Sequence, residues 1–289
     1  MSDDRLRFVP VVAAVGAFMA FLSAALVIWA HGLEPPMDDF QAYWDAGHHI
    51  GFGDSLYQPT GEFRYAPWFA WLWAPFTALP ESTVRVGWYL LLLGASASVL
   101  LPMVRFGLAG WCAAGVMSVF FVDGAATGNV SPLMAAALFH ALPNRVGPAA
   151  IAACASLKAV AIVLVIVYVG RREWASAAVT VALTAALVAP MLLYDVSGFA
   201  VAPMPTTYGL GTTPVLWGGL ALIALGVAYR LSRTPFAWLA ASLASLAASP
   251  HLFLHYFALI APGLVEPPPP GRPVVPLIHR TGHRSLQPD

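Results

Sequence analysis

Long apolar runs, set end to end with polar intervals between them, leave this chain few ways to fold. Phe8 to Ala30 holds about 23 residues without a charge, enough to cross a hydrocarbon layer at ~1.5 Å per helical residue. It exceeds the ~7–15 residues of a signal-peptide core, so it reads as a retained membrane helix. Thr83 to Val104, Leu108 to Val122, Val130 to Leu142, Trp174 to Tyr194 and Val215 to Leu231 follow, then the pair Phe236 to Ala248 and His251 to Leu264. Lipid offers the backbone no hydrogen bonds, so segments of this kind satisfy their own amides as helices. The expected fold is all-α: a polytopic membrane protein with about 8–10 transmembrane or half-length helices and a long extracytoplasmic first loop. Composition agrees, since 10% of residues are charged against about 25% in a soluble domain. A net formal charge of zero argues against a nucleic-acid partner.

Charge placement then orients the chain. Lys158, the one lysine, sits mid-way along the apolar stretch Gly147 to Gly170. A lone ammonium at mid-bilayer costs at least ~2.5–3.5 kcal/mol. Two short helices meeting at Lys158 would instead bring it to a polar surface. With that hairpin, with Ala66 to Leu79 re-entrant or interfacial, and with the N-terminus cytoplasmic, eleven of the 14 basic residues fall inside. Arg64, Arg85 and Lys158 fall outside. A straight Gly147–Gly170 span would put Arg171 and Arg172 on the wrong side. Residues 1–265 are therefore expected to form one membrane-embedded domain in the cell membrane. Residues 266–289, Pro-rich and basic, are expected to be a disordered cytoplasmic tail.

The longest polar interval before that tail is Met37 to Pro67, with Asp38, Asp39, Asp45, Asp54 and Glu62. A long acidic loop among membrane spans is costly to order and usually marks a site. In the expected topology it shares one face with Arg64, Tyr65, Gly128, Asn129, Lys158, the segment after Asp195, and Ser249-Pro250-His251. Cys112 and Cys154 lie inside apolar segments with no metal or disulfide spacing and read as buried thiols.

Four segments carry a resemblance to a known family. They are DFQAYWDAG with Gly53, Leu56 and Tyr57, running into FRYAPWFAWLWAPFTALP; GNVSPLM; LKAVAIVLVIVYVGRREW; and SPHLFLHYFAL. Together, in this order, they resemble glycosyltransferase family 87 (the DUF2029 group) of the GT-C superfamily, whose members are polyprenol-phosphate-mannose-dependent α-mannosyltransferases. The chain departs from the pattern where Ala66 replaces a Pro, Asn129 a Gln, Phe253 a Trp and Tyr256 a His, and where no Pro follows Lys158.

The resemblance implies a GT-C-like fold and an inverting transferase. It would move a mannosyl or related sugar from a polyprenyl-phosphate donor to a hydroxyl of a lipid or glycan acceptor at the extracytoplasmic face, among membrane lipids. Asp39 would be the catalytic base that takes the acceptor proton. Asp38 is its neighbour and rival, and position alone also allows Asp39 a capping role on a helix through His49. Lys158 would hold the donor phosphate, and a cation there stabilises the leaving group; its other reading is a structural ion pair. Arg64, His255 and His251 are further phosphate candidates. Tyr43, Tyr65 and Asn129 are candidates for substrate contact. Interface anchoring competes for Arg64 and Tyr65, helix termination for Asn129, and solvation for His48 and His49. His251 and His255 lie four apart without a nearby acid, a weak metal pattern, so no cofactor is expected while a divalent metal stays open. A lipid or small-molecule transporter and a non-catalytic GT-C scaffold are the alternative functions.

Overall fold

The computed structural model describes residues 37–52, 56–57, 63–196, 214–249 and 252–264. The expectations placed on Phe8 to Ala30, His251 and the Pro-rich tail lie outside the described residues. Within them every regular element is helical. α1 is Asp38–Phe52; α2 is Pro67–Trp73, continued by a 3-10 turn over Ala74–Ala78. α3 (Glu81–Val104), α4 (Gly107–Ala126) and α5 (Ser131–Ala141) follow. α6 (Gly147–Leu157) leads through a 3-10 stretch, Ala159–Leu164, into α7 (Val165–Arg171). α8 (Trp174–Val188) ends in the 3-10 turn Ala189–Leu193, then come α9 (Pro214–Leu231) and α10 (Ala237–Ala247). A 3-10 segment, Leu254–Ile260, and α11 (Ala261–Leu264) complete the set.

Glu81–Val104, Gly107–Ala126, Trp174–Leu193 and Pro214–Leu231 are long and apolar enough to cross a membrane. The chain is thus an all-α polytopic membrane protein. At ~1.5 Å per residue the 24 residues of α3 reach past a hydrocarbon core of ~30 Å. The shorter helices pack inside this frame.

Lys158 breaks the sixth helix. Its backbone is extended (φ −134°, ψ 106°) between α6 and the 3-10 stretch. The two arms fold back on each other: a Cβ placed on Gly147, at the start of α6, would stand 2.7 Å from the hydroxyl of Tyr168 on α7. In a straight helix those positions would lie ~30 Å apart. The expected hairpin is therefore present. The break frees the Val160 carbonyl, which accepts from Ser245 Oγ on α10 at 2.6 Å, as a buried backbone acceptor requires.

The two ends of the bundle differ in charge. At one end Arg171 Nε donates to the Ser232 carbonyl (2.8 Å) and Arg233 Nε to the Gly170 carbonyl (2.9 Å), which ties the α7–α8 turn to the α9–α10 turn. Gly147 against Tyr168 brings the Arg145 turn to the same end. At the other end lie α1, α2, the Gly128–Asn129 turn and Lys158. Trp71 Nε1 donates to Tyr194 Oη there at 2.9 Å, so the C-terminus of the α8 arm belongs to this end too.

Ala66 to Leu79 forms the short α2 with its 3-10 turn, packed on α1, and Trp71, Leu72, Phe76 and Leu79 point outward. Two expectations need correction. Cys112 is exposed on the outer side of α4, because that apolar helix turns part of its circumference outward; Cys154 is buried as expected. His48 and His49 are no solvated loop residues. Both lie in α1, half-buried, and the His48 ring is 5.2 Å from that of Trp44, since the loop folds as a helix with an aromatic side.

Candidate active site

The site begins with a helix end. At the C-terminus of α4 the Asn129 N–H donates to the Gly124 carbonyl (2.7 Å) and the Gly128 N–H to Ala125 (3.2 Å). This is a Schellman cap, with Gly128 in the left-handed region at φ +73°. Glycine is required there twice over, because a Cβ would also meet Phe40 at 2.9 Å. The cap turns Asn129 inward. Its Oδ1 then accepts from the Ser131 N–H (2.9 Å) and Ser131 Oγ (2.7 Å), starting α5 in an Asx-type turn.

The N-terminus of α1 docks on the same cap. The Met37 and Asp39 amides donate to the carbonyls of Ala126 and Thr127, both at 3.1 Å. Amides that a helix start leaves unpaired thus meet carbonyls that a helix end leaves unpaired. This contact delivers Asp39 to Asn129, whose Nδ2 donates to Asp39 Oδ2 at 2.8 Å.

Lys158 completes the row. Its ammonium donates to Asn129 Oδ1 and Ser131 Oγ, each at 2.9 Å, and lies 3.9 Å from the centre of the Tyr256 ring. It is 7% exposed and has no direct ion pair among the described residues. Asn129 thus separates a buried cation from a half-buried carboxylate. The two neighbouring acids part company: Asp38 is exposed, while Asp39 faces Asn129.

Aromatic side chains form the wall behind this row. The Val130 N–H donates to Tyr43 Oη (3.3 Å), and Tyr43 Oη donates to Tyr65 Oη (3.0 Å). Tyr43 also meets the rings of Phe69, Trp73 and Trp88 within 6 Å; such edge contacts contribute about 0.5–1.5 kcal/mol each. Burial raises both phenols well above the ordinary tyrosine range, with the charge of Asp39 adding to the effect at each. They act as neutral hydrogen-bonding groups.

His255 lies on the far side of Tyr256. Its Nδ1 is 3.2 Å from Asp123 Oδ2, and its ring stacks on Phe253. Arg64 is half-buried, and its guanidinium donates to the Phe63 carbonyl at 3.1 Å. The structure therefore brings Asp39, Asn129, Lys158, Tyr43 and Tyr65 into one connected group, with His255 one residue from its edge. Asp38 points away from it. Among the described residues no three His, Cys, Asp or Glu side chains gather as a metal site needs.

Sequence reasoning missed three members. Asp123 had a usable signal, a carboxylate inside the apolar run of α4, where ionisable groups are rare. Tyr256 stood only as a departure from the family pattern. Ser131 had no signal, since serines are common and only the Asn129 turn aims its hydroxyl. Asn129, weighed chiefly as a helix terminator, is both terminator and central bridge. Comparisons with protein-family models, with curated proteins and with solved structures return no match.

Proposed function

We propose that this protein is a membrane glycosyltransferase that uses a polyprenyl-phosphate-linked sugar, mannose or a related hexose, and transfers it to a hydroxyl of a cell-envelope lipid or glycan. One observation carries the reading: a buried lysine with no direct ion pair among the described residues and a half-buried carboxylate flank one asparagine at a single end of the bundle. That pairing suits an acid–base reaction beside a phosphate. Asp39 takes the proton of the attacking hydroxyl. Attack at the anomeric carbon breaks the bond to the donor phosphate, and Lys158 stabilises the negative charge that develops there. Asn129 holds the two charged groups apart and orients both. His255, held by Asp123, is a second phosphate contact. The family resemblance supports the roles of Asp39, Lys158 and His255, which lie in its motifs, while Asn129 stands where the pattern has Gln.

The bundle end bearing Arg145, Arg171, Arg172, Arg230 and Arg233 suits the cytoplasmic side. The site then faces away from the cytoplasm, where a lipid-linked donor is the available form of activated sugar. The test is transfer of radiolabelled polyprenyl-phosphate-mannose into a native membrane lipid extract by purified wild type and Asp39→Asn. Loss of a base typically costs ~10²–10⁴-fold in rate. Asp39→Asn should lose transfer on that scale and keep donor binding. Equal transfer by both proteins would remove Asp39 from the mechanism. No transfer by either, with donor bound by both, would indicate binding or transport.

A further inference from the structure

The Lys158 ammonium is engaged on all sides. It carries three N–H groups. Two go to Asn129 Oδ1 and Ser131 Oγ, each at 2.9 Å, and the ring of Tyr256 covers the remaining side, its centre 3.9 Å from the nitrogen. That distance lies well inside the ~6 Å reach of a cation–π pair, and such pairs are strongest where water is excluded. An anion that binds this 7% exposed lysine therefore has to replace one of its three partners.

The three are not equally replaceable. Asn129 and Ser131 are fully buried. Asn129 is held by the α4 cap, by Asp39 and by both donors of Ser131, so displacing it or Ser131 would orphan buried polar groups. Tyr256 is half-buried and sits in the 3-10 segment Leu254–Ile260 beside the exposed Phe253. Seven residues exceed the 3–4 that such a helix usually sustains, and its hydrogen bonds are poorer than those of an α-helix. The Tyr256 ring is the partner that gives way at least cost.

Its position fits what would replace it. A charge-assisted N–H···O bond of ~2.8 Å places a phosphorus about 4 Å from the nitrogen, close to where the ring centre stands. The His255 ring, with Asp123 Oδ2 3.2 Å from its Nδ1, is centred 5.2 Å from the Tyr256 ring. Lys158 and His255 thus flank the volume that the Tyr256 ring fills. Tyr256 stands where the family pattern has His, so this cover belongs to the present chain and is not carried over by resemblance.

We propose that the Tyr256 ring is a placeholder for phosphate. A phosphate ester enters between Lys158 and His255 by exchanging with that ring, and it takes one hydrogen bond from Lys158 while Asn129 and Ser131 keep the other two. The inference rests on the phosphate role given to Lys158 above, but its test needs no sugar transfer.

The probes are dodecyl phosphate and inorganic phosphate, added to the full chain in detergent micelles. With 3-fluorotyrosine in place of Tyr256, the fluorine resonance should move saturably with dodecyl phosphate and stay fixed in Lys158→Met. A second measurement uses Lys158 as the one lysine of the chain, so that its acetylation is read directly by mass spectrometry. Loss of the covering ring should speed acetylation about tenfold or more in Tyr256→Leu, while Tyr256→Phe, which keeps the cation–π face, should match wild type. Dodecyl phosphate should protect Tyr256→Leu at a concentration about fivefold or more below the one that moves the wild-type fluorine signal, because no ring has to be displaced. A fluorine signal that stays fixed while radiolabelled dodecyl phosphate binds, or weaker binding by Tyr256→Leu than by wild type, would overturn the exchange, since the ring would then be a fixed wall. Movement with inorganic phosphate alone would overturn an ester as the ligand, and movement with neither probe would overturn the phosphate site. If Tyr256→Leu fails to fold, the fluorine measurement decides alone, because it keeps the ring. Exchange without sugar transfer would remove the transferase reading only; transfer with a fixed ring would remove the exchange only.

Discussion

Removing Asn129 should harm this protein more than removing the charge it serves. Asn129 is 2% exposed, and its side chain makes these four hydrogen bonds: it donates to Asp39 and accepts from Lys158 and from the amide and hydroxyl of Ser131. Asn129→Ala leaves the Lys158 ammonium, 7% exposed, with Ser131 Oγ and the Tyr256 face alone, and it orphans the buried Ser131 amide. A hydrogen bond to a charged group contributes about 1.5–3 kcal/mol, and an unsatisfied buried donor costs about 1–3 kcal/mol. The expected loss for Asn129→Ala is therefore about 3–5 kcal/mol. Lys158→Met deletes the cation together with its desolvation cost and keeps most of the volume. Asp39 is half-buried, so water can serve it, and Asn129 keeps its Ser131 donors. A buried ion carries a desolvation penalty of its own, which an apolar side chain of similar size removes, and a change within about 1 kcal/mol is expected here. The assay is reversible unfolding of both variants in mixed micelles, followed by circular dichroism. Equal destabilisation by the two substitutions, or a loss below about 1 kcal/mol for Asn129→Ala, would refute the claim that Asn129 is what satisfies the buried groups around it.

Other consequences can be measured in the same preparations. Gly128→Ala combines a left-handed backbone, which costs an alanine about 1–2 kcal/mol, with a collision against Phe40, so it should lower both stability and Asn129-dependent activity. A Cβ on Gly263 would enter the backbone of Leu239, so Gly263→Ala should destabilise by about 1–3 kcal/mol or more. Gly94→Ala, which meets nothing, should be neutral or stabilise by about 0.5–1 kcal/mol in the same thermal-shift series. Burial holds Tyr43 and Tyr65 protonated above the ordinary phenol range. Their contribution is complete below pH ~10, where unfolded tyrosine begins to ionise, and is lost as pH rises beyond it. The double variant Tyr43→Phe, Tyr65→Phe should therefore unfold at higher alkaline pH than wild type relative to its own neutral-pH stability.

The amino-acid sequence by itself determined the class of fold and the paths of the helices. Long apolar runs satisfy their amides in lipid as helices, so α3, α4, α5, α8, α9 and α10 were legible to within a few residues. The hairpin at Lys158 was legible as well, because charge placement and the cost of a mid-bilayer ammonium both pointed to it. The types of residue in the site could also be read: Lys158 stood alone inside an apolar stretch, Asn129 ended one, and Asp39, Tyr43 and Tyr65 lay in the longest polar interval before the tail. Only the tertiary structure decided how they connect. Asp39 and Asn129 are 90 positions apart, and Asn129 and Lys158 are 29. No local pattern encodes the meeting of one helix start with another helix end that joins them. That Asp39 rather than Asp38 meets Asn129 came the same way, since adjacent carboxylates on a helix start differ only in the direction set by that docking. The apolar groove between the 3-10 turn after α2 and the first turns of α3 is the space left between two elements, and its shape follows from how the aromatic side chains on α1, α2 and α3 pack around Tyr43.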